Sequence, residues 1–592
     1  MKFPYGNADF YDIITEKYFY IDRTDRIPLT EEMGKTILFL RPRRFGKSLW
    51  LSTLRNYYDV NRADEFEKLF GHLAIGQNPT ATHNRYFILK WNFSKIETQG
   101  SSDEIRQALH DHINGSVEIF KSYYRDYLDY EIIQDTHNAL RTLESLFAAI
   151  ARTPYKVYLL IDEYDNFANE VLMGRELGGE KRYKDLIKGE GMLKTLFKVV
   201  KAATEGEGID RVFITGVSPV VMSDVTSGFN IADNIYLEPE FNDLCGFTES
   251  EILSVLQQVV RECGQPAAKA DELLAMLRTF YNGYCFSLRS REFIYNPTLA
   301  LYFLKYYQHN CLPPEEMLDE NLAMDRGKIA YISQLTHGEQ LIWETLKQEQ
   351  TLAIERLARR FGVADILAET KDTQFMVSLL YYFGVLTLTA ERNPFGEPIF
   401  QIPNLVVRGL YAERIQEMLL PTGAEIDESR RVTRLLYQKG EIEPLCDFIE
   451  QHQFRVFDNR DYKGSGELVI KTLFLTLLFN DILYIMDSEP ALGRRYGDLI
   501  MLVRPDKRQY QILDILIEFK YVPLGKVKLT GEQVKNMSRE ELRQLKPVKA
   551  AADEAEKQLN NYQQTLTEHY GDILRLRTYT VVAVGYDRLV WQ

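Results

Sequence analysis

The sequence predicts an α/β protein: a parallel sheet with helices on both faces, then a mostly helical stretch, then a second α/β unit. Three observations predict it. Up to about residue 300, near-continuous apolar runs alternate with longer helical periods, at TILFL (36 to 40), YFILKWNF (86 to 93), VYLLIDE (157 to 163) and RVFITGV (211 to 217). Such runs suit strands buried on both faces. From about 301 to 435 the period is helical, as in LAMDRGKIAYISQL and QEQTLAIERLARRF, with one hairpin expected at VLTLTAERNPFGEPIFQI. From 436 a leucine-rich helix, ELVIKTLFLTLLFND, precedes two strand-like runs in DLIMLVRPDKRQYQILDILIEFKYV joined by a turn at Pro505 to Arg508. A further helix (AADEAEKQLNNYQQTLTEHY) and a last strand (TYTVVAVGY) complete that unit. Lys526 to Pro547 reads as a polar, basic surface loop or insertion.

At 592 residues the chain is too long for one core. Its 85 acidic against 71 basic residues leave a net charge of −14, which excludes a chain coated in basic surface but permits a local basic groove. The five cysteines, 245, 263, 285, 311 and 446, form no CxxC pair and have no His cluster beside them. That spacing argues against a disulfide framework and a zinc site and fits a reducing cytoplasm. No basic start with an apolar core opens the chain, and Leu468 to Met486 is interrupted by Lys471, Asn480 and Asp481, so no membrane span is expected. No Ser-His-Asp or HExxH pattern supports protease or esterase chemistry, and Met33, Met222 and Met276 read as core filler.

In TILFLRPRRFGKSLWLSTLRNYY the loop Arg44-Phe45-Gly46-Lys47-Ser48-Leu49 stands between a buried strand and an amphipathic helix. That is the context of a phosphate-binding loop: backbone N–H groups and a helix N-terminus wrap phosphate, Lys47 reaches the β and γ oxygens, and Ser48 holds magnesium. The position of the usual first glycine is Arg41, and Arg41, Arg43 and Arg44 are candidates to neutralise phosphate charge. VYLLIDEYDNF ends a strand in two carboxylates, Asp162 for the magnesium shell and Glu163 to orient and deprotonate the attacking water. RVFITGVSPVVMSD ends a third strand in hydroxyls, of which Thr215 or Ser218 is a candidate sensor of the γ-phosphate. The bland alternatives are an ordinary strand-to-helix turn, a solvated acidic turn and a polar strand end.

A second constellation lies in YGDLIMLVRPDKRQYQILDILIEFKYV. Asp498 opens one strand, and Glu518 and Lys520 share a face of the next while Phe519 points away. Hairpin pairing that brings Asp498 beside them would supply two carboxylates for a divalent metal and a lysine for phosphate charge, the needs of a metal-dependent phosphodiesterase. Glu467 and, on the following helix, Gln558 and Tyr562 support it. Arg494, Arg495, Arg504, Lys507, Arg508, Lys526 and Lys528 are candidates for a phosphate-tracking groove. A cross-strand salt bridge and solvated turns are the alternatives.

The blocks YFYIDRTDRI, FLRPRRFGKSL, LLIDEYD, FITGVSPV, FNIAD, LCGFTESEI, YNGYCF and YNPTLALYF resemble the AAA-ATPase-like family found with PD-(D/E)XK nuclease domains in bacteria and some archaea. The resemblance implies an AAA-like P-loop NTPase domain over 1–300, a helical linker domain over 301–435 and a restriction-endonuclease-like α/β domain over 436–592. In that family the arginine-rich loop replaces the first Walker glycine. Lys47 and Ser48 match Walker A, and Asp162 and Glu163 match Walker B. Asp22 and Thr24 match a further block of unassigned role; Tyr281 to Tyr284 with Asn296 and Pro297 match another, read as packing. The resemblance also implies ATP and Mg2+ as cofactors, nucleic acid, chiefly DNA, as partner of the C-terminal domain, and a homo-oligomer. The expected function is ATP binding and hydrolysis coupled to cleavage of nucleic-acid phosphodiesters, with catalytic residues Glu163, Asp498, Glu518 and Lys520 and metal ligands Ser48, Asp162, Asp498 and Glu518. The alternative is a nucleotide-switched interaction protein whose nuclease fold does not cut.

Overall fold

The computed structural model of the chain describes residues 1–97, 100–166, 192–219, 232–318, 326–347, 352–359, 361, 371–454, 466–486 and 498–592. They form two compact units. The first comprises 1–274, 282–309 and 353–401, the second 275–281, 310–352 and 402–592.

In the first unit the four apolar runs are strands: β1 (Thr36–Leu40), β2 (Tyr86–Asn92), β3 (Lys156–Asp162) and β4 (Ile209–Gly216). With β5 (Asp233–Asn234) they make a sheet of order β2-β3-β4-β1-β5 in which neighbouring strands run parallel. Parallel neighbours need crossovers, supplied by helices such as Lys47–Tyr58, Ser102–Tyr123 and Met192–Thr204. Strand β4 stands between β1 and β3, so the C-terminal ends of three adjacent strands present Leu40, Asp162 and Gly216 side by side. Open α/β sheets gather ligands at that edge. The expected hairpin is β7 (Thr387–Arg392) with β8 (Pro398–Gln401), in a small sheet of order β6-β8-β7 with β6 at Leu352–Ala353. The helix Thr373–Tyr382 precedes it.

In the second unit, β9 (Tyr484–Met486), β10 (Asp498–Val503), β11 (Asp514–Val522), β12 (Leu576–Val584) and β13 (Arg588–Trp591) form a mixed sheet of order β13-β12-β11-β10-β9. Pairings β9/β10, β10/β11 and β12/β13 are antiparallel, and β11/β12 is parallel. The helix Lys546–Tyr570 makes the crossover, with Leu559, Leu566 and Tyr562 against Leu502 and Leu516. The other face of β11 meets the helix Gly466–Leu478, where the Phe474 and Phe519 rings lie 5.0 Å apart. Glu518 and Lys520 alternate with Phe519 and therefore share the Leu516 face.

Three expectations are corrected. Residues 526–547 are not a surface loop: they contain short helices, including Gly531–Asn536 and Arg539–Gln544, that bury Val534 and Leu542 against Val522, Val582, Val584 and Val590. Met33 is exposed, whereas Met276 is buried and Met222 lies outside the described residues. Cys245, Cys285 and Cys446 are free and buried. Three of the basic residues expected in a groove are instead committed to the fold. Arg504 is fully buried and donates to the carbonyls of Pro314, Glu315 and Asp481 and to both oxygens of Asp506. Lys507 is buried beside Asp506, and Arg508 pairs with Asp514 at 2.6 Å. Lys526 and Lys528 are exposed, and Arg494 and Arg495 lie outside the described residues. No helix among the described residues is long and apolar enough to cross a membrane.

Removing one member of a buried ion pair leaves the other charge uncompensated, at about 3–5 kcal/mol. Arg504→Met should therefore lower the unfolding free energy of the second unit by that order, and Arg504→Met with Asp506→Leu should recover part of the loss. Equal stability of the single variant and the parent in urea titrations would refute the structural role.

Candidate functional site

The loop after β1 is shaped by two residues in the left-handed region, Arg44 (φ 66°) and Gly46 (φ 94°). Glycine adopts that conformation without strain. The helix Lys47–Tyr58 starts directly afterwards, so its first amides point out of the helix end with no intrahelical acceptor. The Lys47 ammonium is buried and donates to the carbonyls of Arg41 and Pro42 at 2.9 and 3.0 Å, closing the loop on itself. Burial lowers its pKa, while Glu163, Asp162 and Asp165 pull the other way.

Asp162, at the end of β3, is buried and accepts from the Ser48 hydroxyl at 2.8 Å and from the Thr215 hydroxyl at 2.7 Å. One carboxylate thus joins the P-loop helix, β3 and β4. The next residue, Glu163, has φ 51°, a costly conformation for a side chain with a Cβ. Burial raises the Glu163 pKa against the opposing effect of Lys47.

A cavity of about 280 Å³ opens over this loop. Arg44, Phe45, Gly46, Lys47, Ser48, Leu49 and Glu163 line its polar end, and Tyr5, Phe19, Phe247, Pro297 and Leu301 its apolar end. Asp162 and Thr215 are not in the lining and stand behind Ser48. Phe45 is wedged edge-on against the rings of Tyr284 and Phe286, at 4.9 and 5.2 Å, which gives the YNGYCF block a packing role beneath the loop. The Arg44 carbonyl accepts from Thr298 at 2.8 Å.

Of the three arginines expected at phosphate, Arg41 is elsewhere. Its guanidinium is buried, donates to the carbonyls of Leu40, Tyr236 and Phe241 and lies over the rings of Phe39 and Phe286. Burial lowers its pKa to about 10. It is a strut, not a phosphate ligand. Arg43 donates to Asn166 at 2.6 Å. Ser218 is also spent: its amide and hydroxyl both donate to Asp165, which further accepts from the Val217 amide. A Cβ on Gly216 would meet the Tyr164 ring at 2.5 Å and Asp165 at 2.6 Å, so that turn requires glycine.

Asp165 was missed in the sequence although it closes the run IDEYD. Also missed was Arg23, which lines the cavity, forms a fork-to-fork pair with Glu251 at 2.6 and 2.8 Å and donates to the carbonyls of Asp243 and Gly246. Its neighbours Asp22 and Thr24 now have a role. Asp22 accepts from the Thr24 amide and hydroxyl and from the Ala74 amide, and Thr24 accepts from the Ile75 amide, so together they cap the helix Ala74–Gln77.

In the second unit Asp498 pairs directly with Glu518 in the β10/β11 ladder. Glu518 is buried, and its Oε1 accepts from Lys520 at 2.9 Å. Among the described residues its Oε2 is buried with no hydrogen-bond partner, as is Oε1 of Gln558. Lys520 also lies 3.7 Å from Glu467 and 3.9 Å from Glu554, one turn before Gln558. Burial raises the Glu518 pKa against the pull of Lys520. For Lys520, burial is outweighed by its carboxylate neighbours, led by Glu518, and its pKa rises. The Asp498 side chain lies outside the described residues. Among the described residues no three His, Cys, Asp or Glu side chains gather as a metal cluster.

Residues 4–226 match the family model AAA-ATPase_like, described as "Predicted AAA-ATPase". An "Uncharacterized protein in vnfD 5'region" of Azotobacter chroococcum mcd 1 is 26% identical over 432 residues, 72% of each chain. Among solved structures, the Aeropyrum pernix Orc1 protein in complex with DNA aligns at 11% identity and TM-score 0.24, over 68% of this chain and 95% of that one. Cdc6p from Pyrobaculum aerophilum aligns at 12% and 0.22, over 70% and 95%.

The backbone at Glu163 provides a test. Because a left-handed residue with a Cβ costs roughly 1–2 kcal/mol, Glu163→Gly should be more stable than Glu163→Ala by about 1 kcal/mol in thermal melts. The reverse order would remove the strain.

Proposed function

We propose that the first unit binds and hydrolyses ATP with Mg2+, and that the second is a metal-dependent nuclease-like unit acting on nucleic-acid phosphodiesters. The division expected from the sequence, an NTPase domain over 1–300, a linker over 301–435 and a nuclease-like domain over 436–592, belongs to this reading. The observation that carries it is Ser48 bound to Asp162 at the foot of a helix N-terminus whose loop lines a cavity. The donor set suits the group: hydroxyl and carboxylate oxygens are the hard ligands Mg2+ takes. Bound Mg2+ would neutralise charge on the β and γ phosphates. The amides of the loop and Lys47 would hold the phosphates, and Lys47 would exchange its two carbonyl acceptors for phosphate oxygens. Thr215 would hold Asp162 in place through its hydroxyl. Glu163, its pKa raised by burial, would take the proton of the attacking water.

In the second unit the mixed sheet, with a helix before β9 and a crossover helix between β11 and β12, supports the nuclease-like reading. The orphaned Oε2 of Glu518 and Oε1 of Gln558 are the buried oxygens a divalent cation would satisfy. Bound there, the cation would supply Lewis acidity at the phosphoryl oxygen. Lys520, held by three carboxylates, would offset charge developing on the phosphate. A non-cutting nucleotide switch is the second reading, favoured by one observation: Arg504, Lys507 and Arg508, expected to track a strand, are committed to the fold.

Lys47→Ala should abolish ATP binding in equilibrium titrations. Lys520→Ala and Asp498→Ala should abolish cleavage of linear, circular and single-stranded DNA or RNA while ATP turnover persists; wild-type protein that cuts no substrate with ATP bound would favour the switch.

Metal binding has its own readout. Without nucleotide, Mg2+ or Mn2+ at about a hundred times its dissociation constant should stabilise the second unit of the wild type by ~2.7 kcal/mol and leave that of Glu518→Gln unchanged in thermal melts. Equal stabilisation of both proteins would place the cation elsewhere.

A further inference from the structure

A second cavity lies within the first unit, with a volume of about 1050 Å³. That is at the upper end of small-ligand sites, about 300–1000 Å³. It is not lined by any residue of the P-loop. Four cationic side chains line it, Arg356, Arg359, Lys371 and Arg392, against two acids, Glu355 and Asp372. One of the acids is already engaged, because Asp372 accepts from the Phe375 amide at 2.7 Å as the N-cap of the helix Thr373–Tyr382. Arg392 gives one N–H to the Gly396 carbonyl. Arg356 and Arg359 are exposed and carry no ion pair or hydrogen bond among the described residues.

An acidic chain that gathers positive charge in a concave wall concentrates anions there. Apart from Gln374, the rest of the lining is apolar. Phe361 and Phe375 meet edge to face at 5.1 Å, and Leu237, Leu288 and Pro398 complete the wall. Both rings are buried and offer no face to a ligand, so recognition falls to the arginines, whose planar forks suit phosphate oxygens. The cavity takes more than one nucleotide's worth of ligand, and its cations are spread over several elements.

We propose that this cavity is a second recognition site for a phosphodiester-linked ligand carrying two or more phosphates. The source of that chemistry is either a free dinucleotide or the end of a nucleic-acid strand. The site does not depend on the P-loop reading. One wall is tied to the loop's root nonetheless: Arg41 bonds the carbonyl of Tyr236, the residue before Leu237, and the Tyr236 ring packs on Tyr382 of the helix Thr373–Tyr382.

The test uses the full chain in EDTA, with the 5′-phosphorylated dinucleotide pdApdA and a longer oligodeoxythymidylate as probes in calorimetric titrations. Arg356→Glu with Arg359→Glu changes two exposed side chains without partners, so the fold and ATP affinity should persist. The double variant should lose roughly tenfold or more in affinity for at least one probe, the order expected when phosphate contacts are removed. Lys47→Ala should bind the same probe as wild type does. Loss with pdApdA identifies a free dinucleotide as sufficient, and loss with the longer strand alone identifies a strand. Binding that survives the double variant, vanishes in Lys47→Ala, or is absent in wild type at about 1 mM overturns the proposal.

Discussion

One buried carboxylate holds the functional edge of the parallel sheet together. Asp162 ends β3, receives the Ser48 hydroxyl from the P-loop helix and the Thr215 hydroxyl from β4, and so spans a strand inserted between β1 and β3. Hydrogen bonds to a charged acceptor are worth about 1.5–3 kcal/mol each, and an unpaired buried carboxylate costs more than that. The loop therefore cannot drift from β3 without exposing the charge. Asp165 repeats the device one turn later by holding Val217 and Ser218. Between the two, Glu163 is forced into left-handed backbone, and its carboxyl reaches the cavity because its neighbours on both sides are pinned.

Buried arginines carry much of the remaining organisation, and they explain why charge was a poor guide in the sequence. Arg41 and Arg504 each look like phosphate ligands on a linear reading, since both sit in basic runs next to a strand end. Each is instead a multivalent strut whose planar fork satisfies carbonyls that leave their strands without partners. Burying a guanidinium is costly unless its N–H groups are nearly all used. Arg504 reaches that condition with three carbonyls and a carboxylate. A linear sequence shows where an arginine stands but not whether acceptors from distant segments converge on it.

The strands of the first sheet were legible for the opposite reason. TILFL, VYLLIDE and RVFITGV are buried on both faces, so apolar side chains at every position leave a signal that needs no partner to be read. The two-residue β5 and the terminal β13 have no such run. The 526–547 region was misread because its apolar residues are sparse, although Thr530 with Gln533 and Ser538 with Glu541 form capping boxes that mark helix starts. In the candidate sites, Lys47, Ser48, Asp162, Glu518 and Lys520 follow from local pattern. Arg23, Asp165 and the cationic cavity do not, for they depend on residues from elements far apart in the chain.

The two sites use charge in contrasting ways. At the P-loop, Lys47 is satisfied by its own loop's carbonyls, neutral acceptors that an incoming anion displaces at little electrostatic cost. In the second unit Lys520 is held by Glu518, with Glu467 and Glu554 close by, and that arrangement leaves one oxygen of Glu518 without a donor. A buried carboxylate half-satisfied in this way is unfavourable in isolation. On the proposed reading a cation at the free oxygen would relieve this, because it would satisfy the acceptor and offset the excess negative charge around the lysine. The same asymmetry explains why the lysine pKa rises despite burial: three carboxylates around one ammonium outweigh the loss of solvent. On the nuclease-like reading, the free oxygen of Glu518 would take the cation and Lys520 would stand beside it as a fixed ammonium.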